Sequence, residues 1–507
     1  MKVWSESRRC RYSTYLDSGE LSKIRAIKGL ILNDLNEEIT SKKISASNLD
    51  VIYWQKLYTL VFNSKLNKDL FKMTLKEKKI GLAIPTHWIK TFALHYAVSK
   101  RRSQIKFFLV ILKHILKNLV HSFYYLTPTF TKKNIKILKN FKSEGFLIVF
   151  LNRNMNDIYL LDFGDPNLKC FTNWYKKFTG TSKIAFIHQI KQAKKKYCLE
   201  YLYMDKFPLS FQNYLMFLLK SIKIYIFAFL ELGVGNYKHI YCISEIIQDL
   251  RTKMTPTYAI PNVIIFNESN SIVRPLFSYT MEDRGVSVQN FSFSVSANPN
   301  LMNETVDNSP WPLNSWPSIF TFDEYHSEFL SKFKNLGKVK LQEIHEIPFY
   351  TDKNITFNFY ENKYIALFDI LPQSNYFGAS TLNDIGTNDW NTWYKLMDLS
   401  IKITNELGIK LIYKPKKSLS KSMNTFLNRY SSLIILDQKV SPHRVIEGST
   451  LVITSAITTP LFIGNFYKIP TVVFCPSYKL LRSDPVLRKS HIARNEAELR
   501  DFILRVI

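Results

Sequence analysis

Between residues 364 and 474 the chain repeats one pattern five times: a short apolar run, then a longer polar or amphipathic segment. The runs cover 364–370, 410–413, 433–436, 451–453 and 471–474. Runs this short, alternating with helix-length segments, predict a parallel β-sheet crossed by helices. Such a sheet takes its ligands outside the carboxyl ends of its strands. The sequence puts Lys414-Pro415-Lys416-Lys417 after the second run and Ser441-Pro442-His443-Arg444 after the third. After the fourth come Thr454-Ser455-Ala456-Ile457-Thr458-Thr459-Pro460. Cationic, imidazole and hydroxyl groups beside a helix start suit a phosphate-bearing ligand.

A chain of 507 residues holds two or three domains with full cores. Residues 1–140 read as mostly helical, with apolar residues at helical spacing over 46–64 and Asn48 as the candidate cap. From 141 onward strand-like runs take over, at 146–151, 158–163, 183–188, 240–244, 263–266 and 285–289. A polar loop over 290–318 contains Pro299, Pro310, Pro312 and Pro317, and a strand at 319–322 feeds a helix at 323–330. A second α/β unit is expected to open near 341. The expected fold class is therefore α/β, with two Rossmann-like halves behind a helical N-terminal region. The expected boundaries are 1–140, 141–340 and 341–507.

The net charge of +28 is uneven. Residues 251–507 carry 28 Lys and Arg against 23 Asp and Glu, a net of +5, so +23 belongs to the first 250 residues. A basic half suits nucleic acid, an anionic membrane surface or an acidic acceptor. Without a zinc-finger, basic-zipper or RNA-recognition signature, the nucleic-acid reading lacks its second requirement, and no nucleic-acid partner is expected. The five cysteines are widely spaced, with no CxxC, which argues against structural zinc and a disulfide framework. The polar start MKVWSESRRCRY has no signal core, so the expected compartment is the cytosol. Two apolar stretches, 105–123 and 207–232, are broken by lysines and do not read as spans. They fit a helix lying on the inner face of a membrane, and more simply a buried or half-buried core helix with snorkelling lysines.

Further motifs carry a resemblance over roughly residues 260–485. They are Phe266-Asn267-Glu268, Arg274, and Arg284-Gly285-Val286-Ser287-Val288-Gln289. With them go the Lys-Pro-Lys and Pro-His elements, the Ser/Thr cluster, and Gly464-Asn465-Phe466-Tyr467-Lys468-Ile469-Pro470. In this order they resemble the GT-B glycosyltransferases that build bacterial capsules and lipopolysaccharides. That group's G-[IV]-x-x-x-Q-H-G strand is matched as far as Gln289, but Asn290-Phe291 stand where His-Gly is usual. Many of these enzymes hold the donor ribose with a Glu on the helix after the Ser/Thr pair. Here that helix reads Leu461-Phe462-Ile463-Gly464, which looks more like the transferases that use CMP-activated keto-sugars such as Kdo.

The resemblance implies a transferase moving a sugar from a CMP-, UDP- or GDP-linked donor to a glycan or lipid-linked acceptor. Its donor would be held by Lys414, Lys416, His443, Ser455, Thr458 and Thr459. A leaving phosphate gains negative charge, which a helix N-terminus and flanking hydroxyls stabilise. Pro460 suits the first helical turn. Glu268 and Asp369 follow apolar strands and are the candidate catalytic carboxylates, since an acceptor hydroxyl needs a general base. Arg274 and Gln289 stand on the acceptor side. Structural alternatives remain open: Glu268 paired with Arg274, Asp369 holding its loop, Lys414 and Lys416 on a solvated loop. Asp162-Phe163-Gly164-Asp165 reads as a turn, so neither a metal nor a cofactor is expected. P-loop, nucleophile-elbow and zinc-protease motifs do not occur in the sequence. The rival reading is a non-catalytic assembly protein with a degenerate transferase fold, bound to a membrane surface or to nucleic acid.

Overall fold

The computed structural model describes residues 18–41, 47–62, 79–128, 138–142, 145–151, 183–188, 201–204, 206–267, 273–291, 315–331, 339–344, 363–369, 390–415, 421–437, 440–455, 457–476 and 487–507, with a few single positions between. The long helices described before the first sheet are α1 (Ser18–Ser41), α2 (Asn48–Val61) and α3 (Lys100–Leu126), with a short helix over Ile89–Ala93 between the last two. Ser47, rather than the expected Asn48, caps α2. Its hydroxyl accepts from the Asp50 N–H while the Asp50 carboxylate accepts from the Ser47 N–H. This reciprocal box satisfies two amides that a helix start leaves orphaned.

The first sheet and its helices follow. They are β1 (Phe146–Leu151), β2 (Lys183–His188), β3 (Tyr201–Met204), α4 (Phe211–Gly233), α5 (Ile243–Lys253), β4 (Val263–Asn267), α6 (Leu276–Asp283), β5 (Ser287–Phe291), β6 (Ser318–Thr321), α7 (Glu324–Ser331) and β7 (Lys340–Glu343). The second sheet comprises β8 (Tyr364–Phe368), α8 (Trp390–Glu406), β9 (Lys410–Lys414), α9 (Lys421–Leu427), β10 (Leu433–Ile435), α10 (Pro442–Glu447), β11 (Leu451–Thr454), α11 (Thr459–Phe466), β12 (Thr471–Phe474), β13 (His491–Ala493) and α12 (Glu496–Val506).

All strand pairings in both sheets are parallel. The orders are β3-β2-β1-β4-β5-β6-β7 and β10-β9-β8-β11-β12-β13. Each half thus runs third, second, first, fourth, fifth, sixth, the Rossmann order, and reverses direction between its first and fourth strands. The fold is α/β with two Rossmann-like halves and a helical N-terminal region.

Three further expectations are corrected. Residues 240–244 are helical, not a strand: Lys238–Tyr241 is a short helix, and Ile243 and Ile247 recur at helical spacing on the buried side of α5. β5 starts later than expected because Gly285, at φ +79, turns the chain out of α6. β7 pairs with β6, so the strand near 341 closes the first sheet and the second opens at Tyr364. The run 158–163 and most of the 290–318 loop lie outside the described residues.

In the second half, alternate residues go to opposite faces, as strand geometry requires. Ile365, Leu367, Leu411, Tyr413, Leu451 and Ile453 pack with Trp393 and Leu396 of α8 and Leu499 of α12. Tyr364, Ala366, Phe368, Ile412 and Val452 pack with Val445 of α10 and Leu461 and Phe462 of α11. That second core continues into Ile264, Phe266, Phe291 and Phe320 of the first sheet. The halves meet at Phe322 and Phe462, whose rings lie 5.6 Å apart, and through an Arg488–Glu328 fork at 2.7 and 2.8 Å. A separate core, from Ile24 to Ile247, joins α1 and α2 to α3, α4 and α5.

Gly464 lets α11 lie against β12, since an added Cβ would stand 2.5 Å from Thr471 Cγ2 and 3.5 Å from Val452. Gly464→Ala is expected to cost about 1–3 kcal/mol by overpacking, read as a lower urea midpoint at unchanged slope. A parental midpoint would show that the helix shifts freely.

Candidate functional site

The strand register builds the carboxyl edge of the second sheet. Lys414 pairs with Phe368, and Phe368 with Thr454. These three lie in one row across the switch point, and strand spacing sets Lys414 and Thr454 about 10 Å apart. Register partners share a face, so Lys414 and Thr454 stand on the side of α10 and α11. Asp369 and Ser455, one residue on, turn to the side of α8.

Asp369 is buried and accepts hydrogen bonds from Trp393 Nε1 at 2.9 Å and from the Tyr413 hydroxyl at 2.5 Å. Burial, then the Asp369 charge, push the Tyr413 phenol well above its ordinary range, so it acts as a donor. Lys414 is also buried, with its ammonium 3.4 Å from the Pro415 carbonyl.

Two hydroxyls set this edge apart. Thr458 begins α11 and Ser441 begins α10, yet neither side chain caps its helix. Both oxygens are buried without a hydrogen-bond partner, in residues 7% and 2% exposed. The chain itself explains Thr458. A capping hydroxyl accepts from the second or third helical amide. Here the second is Pro460, which has none, and the third, Leu461, already donates to the Thr458 carbonyl at 3.0 Å. A buried, unpaired hydroxyl costs about 1–3 kcal/mol, which a bound oxyanion would offset. Thr459 is half-buried in the first turn. Ser441 is a candidate that sequence reading left out; the Ser-Pro start of α10 was its signal.

His443 stands on α10, two residues after Ser441. Its Nδ1 lies 3.2 Å from the Tyr467 hydroxyl, their rings edge to face. Tyr467 caps the far end of α11, about 13 Å along the helix from Thr458. Lys416 and Glu268 lie outside the described residues.

In the first half, Arg274 is buried and donates to the Ser278 hydroxyl at 2.8 Å, the Ser315 carbonyl at 3.2 Å and the Glu282 carboxylate. Its guanidinium stacks 3.8 Å over Tyr279. This engagement is with its own helix and the approach to β6. Gln289 donates to Ser287 at 3.1 Å while its carbonyl oxygen is buried without a partner. Ser318, one residue before Ile319 as Gln289 precedes its partner Asn290, also buries an unpartnered hydroxyl. Among the described residues, no group of three or more His, Cys, Asp or Glu side chains could hold a metal ion.

The strand orders define a double-Rossmann α/β protein. Residues 221–503, more than half the chain, match the model of the polysaccharide biosynthesis PFTS motif proteins, and the chain belongs to that family. No curated protein matches it significantly. Among solved structures it is similar to the UDP-GlcNAc 2-epimerase of Methanocaldococcus jannaschii in complex with UDP-GlcNAc and UDP, at 10% identity, covering 71% of this chain and 92% of that one, TM-score 0.37. CalG4, the calicheamicin glycosyltransferase, gives 8%, 72%, 90% and 0.38, and the wall teichoic acid polymerase TagF 11%, 78%, 89% and 0.38. TM-scores below 0.5 add nothing to what the strand orders establish.

His326, beside the junction of the halves, stacks on Phe322 and accepts its N–H at Nδ1. Burial depresses its pKa to about 3, so it folds neutral. The unfolded imidazole gains its proton near pH 6.5. Its contribution to stability is therefore complete above pH 6.5 and falls as pH drops toward 3, by up to about 1.4 kcal/mol per pH unit. Denaturant titrations from pH 7 to 4.5 should show a shallower decline in His326→Phe; two parallel curves would reject this assignment.

Proposed function

We propose that this protein is a glycosyltransferase moving a sugar from a nucleotide-activated donor to a growing polysaccharide or its lipid-linked precursor. Membership of a polysaccharide-biosynthesis family and the doubled Rossmann architecture support that reading. The observation that carries it is the unpartnered Thr458 hydroxyl at the start of α11, beside the switch point and the Lys414 row.

In this reading the donor's phosphate lies against the first turn of α11. The Thr458 hydroxyl donates to a phosphate oxygen, with Ser441 as a second donor and Lys414 supplying positive charge. As the glycosidic bond to phosphate breaks, the leaving oxygen gains charge, and preorganised donors favour that change over the ground state. Glu268, directly after β4, is the proposed general base that takes the acceptor hydroxyl's proton. Asp369 acts indirectly, by fixing the segment after β8 against Trp393 and Tyr413. The absence of a carboxylate from α11 favours a CMP-linked keto-sugar over a UDP- or GDP-linked donor, and the proposed transfer needs no metal.

A thermal-shift series with CMP, CDP, UDP, GDP and ADP, each with magnesium or EDTA, tests this reading. A selective ligand raises the melting temperature by mass action, and CMP with EDTA is expected to give the largest shift. Thr458→Val should weaken that nucleotide about 10- to 100-fold while leaving the unliganded melting temperature equal or higher, because an unpaired buried hydroxyl is removed. Unchanged affinity would reject the site; no shift with any nucleotide would favour a non-catalytic assembly protein.

A further inference from the structure

We infer that α3 and α4 together form a surface that seats this protein on an anionic lipid bilayer, with both helices lying in the plane of the headgroups. Of the 22 large apolar side chains exposed among the described residues, 16 lie on these two helices. Both helices have three faces rather than two. On α3, Ser103, Ile111, Ile115 and Tyr125 are buried, whereas Leu109, Leu112, Leu116 and Val120 recur at helical spacing on an exposed side, between 39% and 71% accessible. On α4, Phe217, Ser221 and Ala228 are buried, and Leu215, Leu219, Ile222 and Ile226 form the exposed counterpart. Phe123 stacks on Tyr225 at 5.7 Å, and the Ser122 and Tyr225 hydroxyls meet at 2.5 Å, so the two stripes adjoin.

Charge identifies the occupant. Exposed Lys113 and Lys117 run along the edge of the α3 stripe, and exposed Lys220 and Lys223 do the same on α4. The sequence of α3 contains no Asp or Glu and opens with Lys100-Arg101-Arg102. Glu231, the one carboxylate of α4, is bonded to His239. Apolar residues edged by lysines match an interface whose interior is acyl chain and whose surface is anionic. A protein partner fits less well, because lysine is depleted at the cores of protein interfaces. A second copy would set like charges against each other across a two-fold axis. No described helix is long and apolar enough to cross a membrane, and these two have their remaining face packed in the core, so the surface lies on the bilayer.

Sedimentation of the full-length protein with vesicles tests the inference. Vesicles of phosphatidylcholine with about one-third phosphatidylglycerol should be bound about tenfold or more tightly than phosphatidylcholine alone, and less tightly as salt rises. Two variants alter exposed positions only: the double change Leu116→Glu with Ile226→Glu, and Gln at Lys113, Lys117, Lys220 and Lys223. Each should reduce binding about tenfold or more while melting temperature and circular dichroism stay parental. Failure of the parent to sediment with either vesicle would overturn the proposal. So would a lipid-independent dimer that the double change dissociates, or vesicle binding that both variants retain. Nucleotide-induced thermal shifts are expected to be unaffected in both, which separates this surface from the proposed donor site.

Discussion

One buried guanidinium ties the end of α3 to the segment that leads into α4. Arg251 of α5 is 1% exposed and donates to the carbonyls of Tyr125 and Phe207, each at 2.7 Å. Burial lowers its pKa to about 10, still far above neutrality, so the charge persists. Lys206 reinforces it from the Tyr124 carbonyl at 2.6 Å. Two cations thus sit at the carboxyl end of α3, where the helix leaves carbonyls unpaired and its dipole is negative. The same α5 reaches the other way: Asp249 accepts from Thr280 at 2.5 Å, and Arg284 donates to the Thr252 and Thr255 carbonyls. Through α5 the lysine-edged helices and the first Rossmann sheet become one body.

The second sheet is held by contrast almost wholly by apolar packing. Its strands are buried on both faces, which fixes their register, since a slip of one residue would exchange the two faces. Because Phe368, Lys414 and Thr454 cannot slide, their successors cannot either. Asp369 is fixed against α8, and the Ser/Thr segment opens where α11 begins. At this rim Thr458 and Ser441 bury hydroxyls that no neighbouring group satisfies.

The five C-terminal runs were legible because each is continuous and apolar, and β12 matches the sequence reading at both ends. The 240–244 segment was not, since five residues of apolar character do not distinguish a buried strand from one side of a buried helix; Ile247 and Arg251, two turns along, decide it. The end of the first unit was misread because β7 is short and half-exposed and resembles the opening of a new sheet. At the site, Thr458 and Lys414 were visible as residue types after strands. That the Thr458 hydroxyl goes unused follows from Pro460, and this too was within reach of the sequence. The contact of His443 with Tyr467 was not, because it joins residues 24 positions apart. Likewise, the engagement of Asp369 by Trp393 and Tyr413 joins residues 24 and 44 positions apart.

Among the described residues, the core beneath α3 and α4 has no buried member after Ile247, whereas every strand of the second sheet lies after residue 363. Synthesis proceeds from the N-terminus, and folding units tend to form as they emerge. The lysine-edged surface can therefore be finished while the second half of the chain is still being translated. Order along the polypeptide then becomes order in time: the apolar, lysine-edged surface is complete before the second sheet exists.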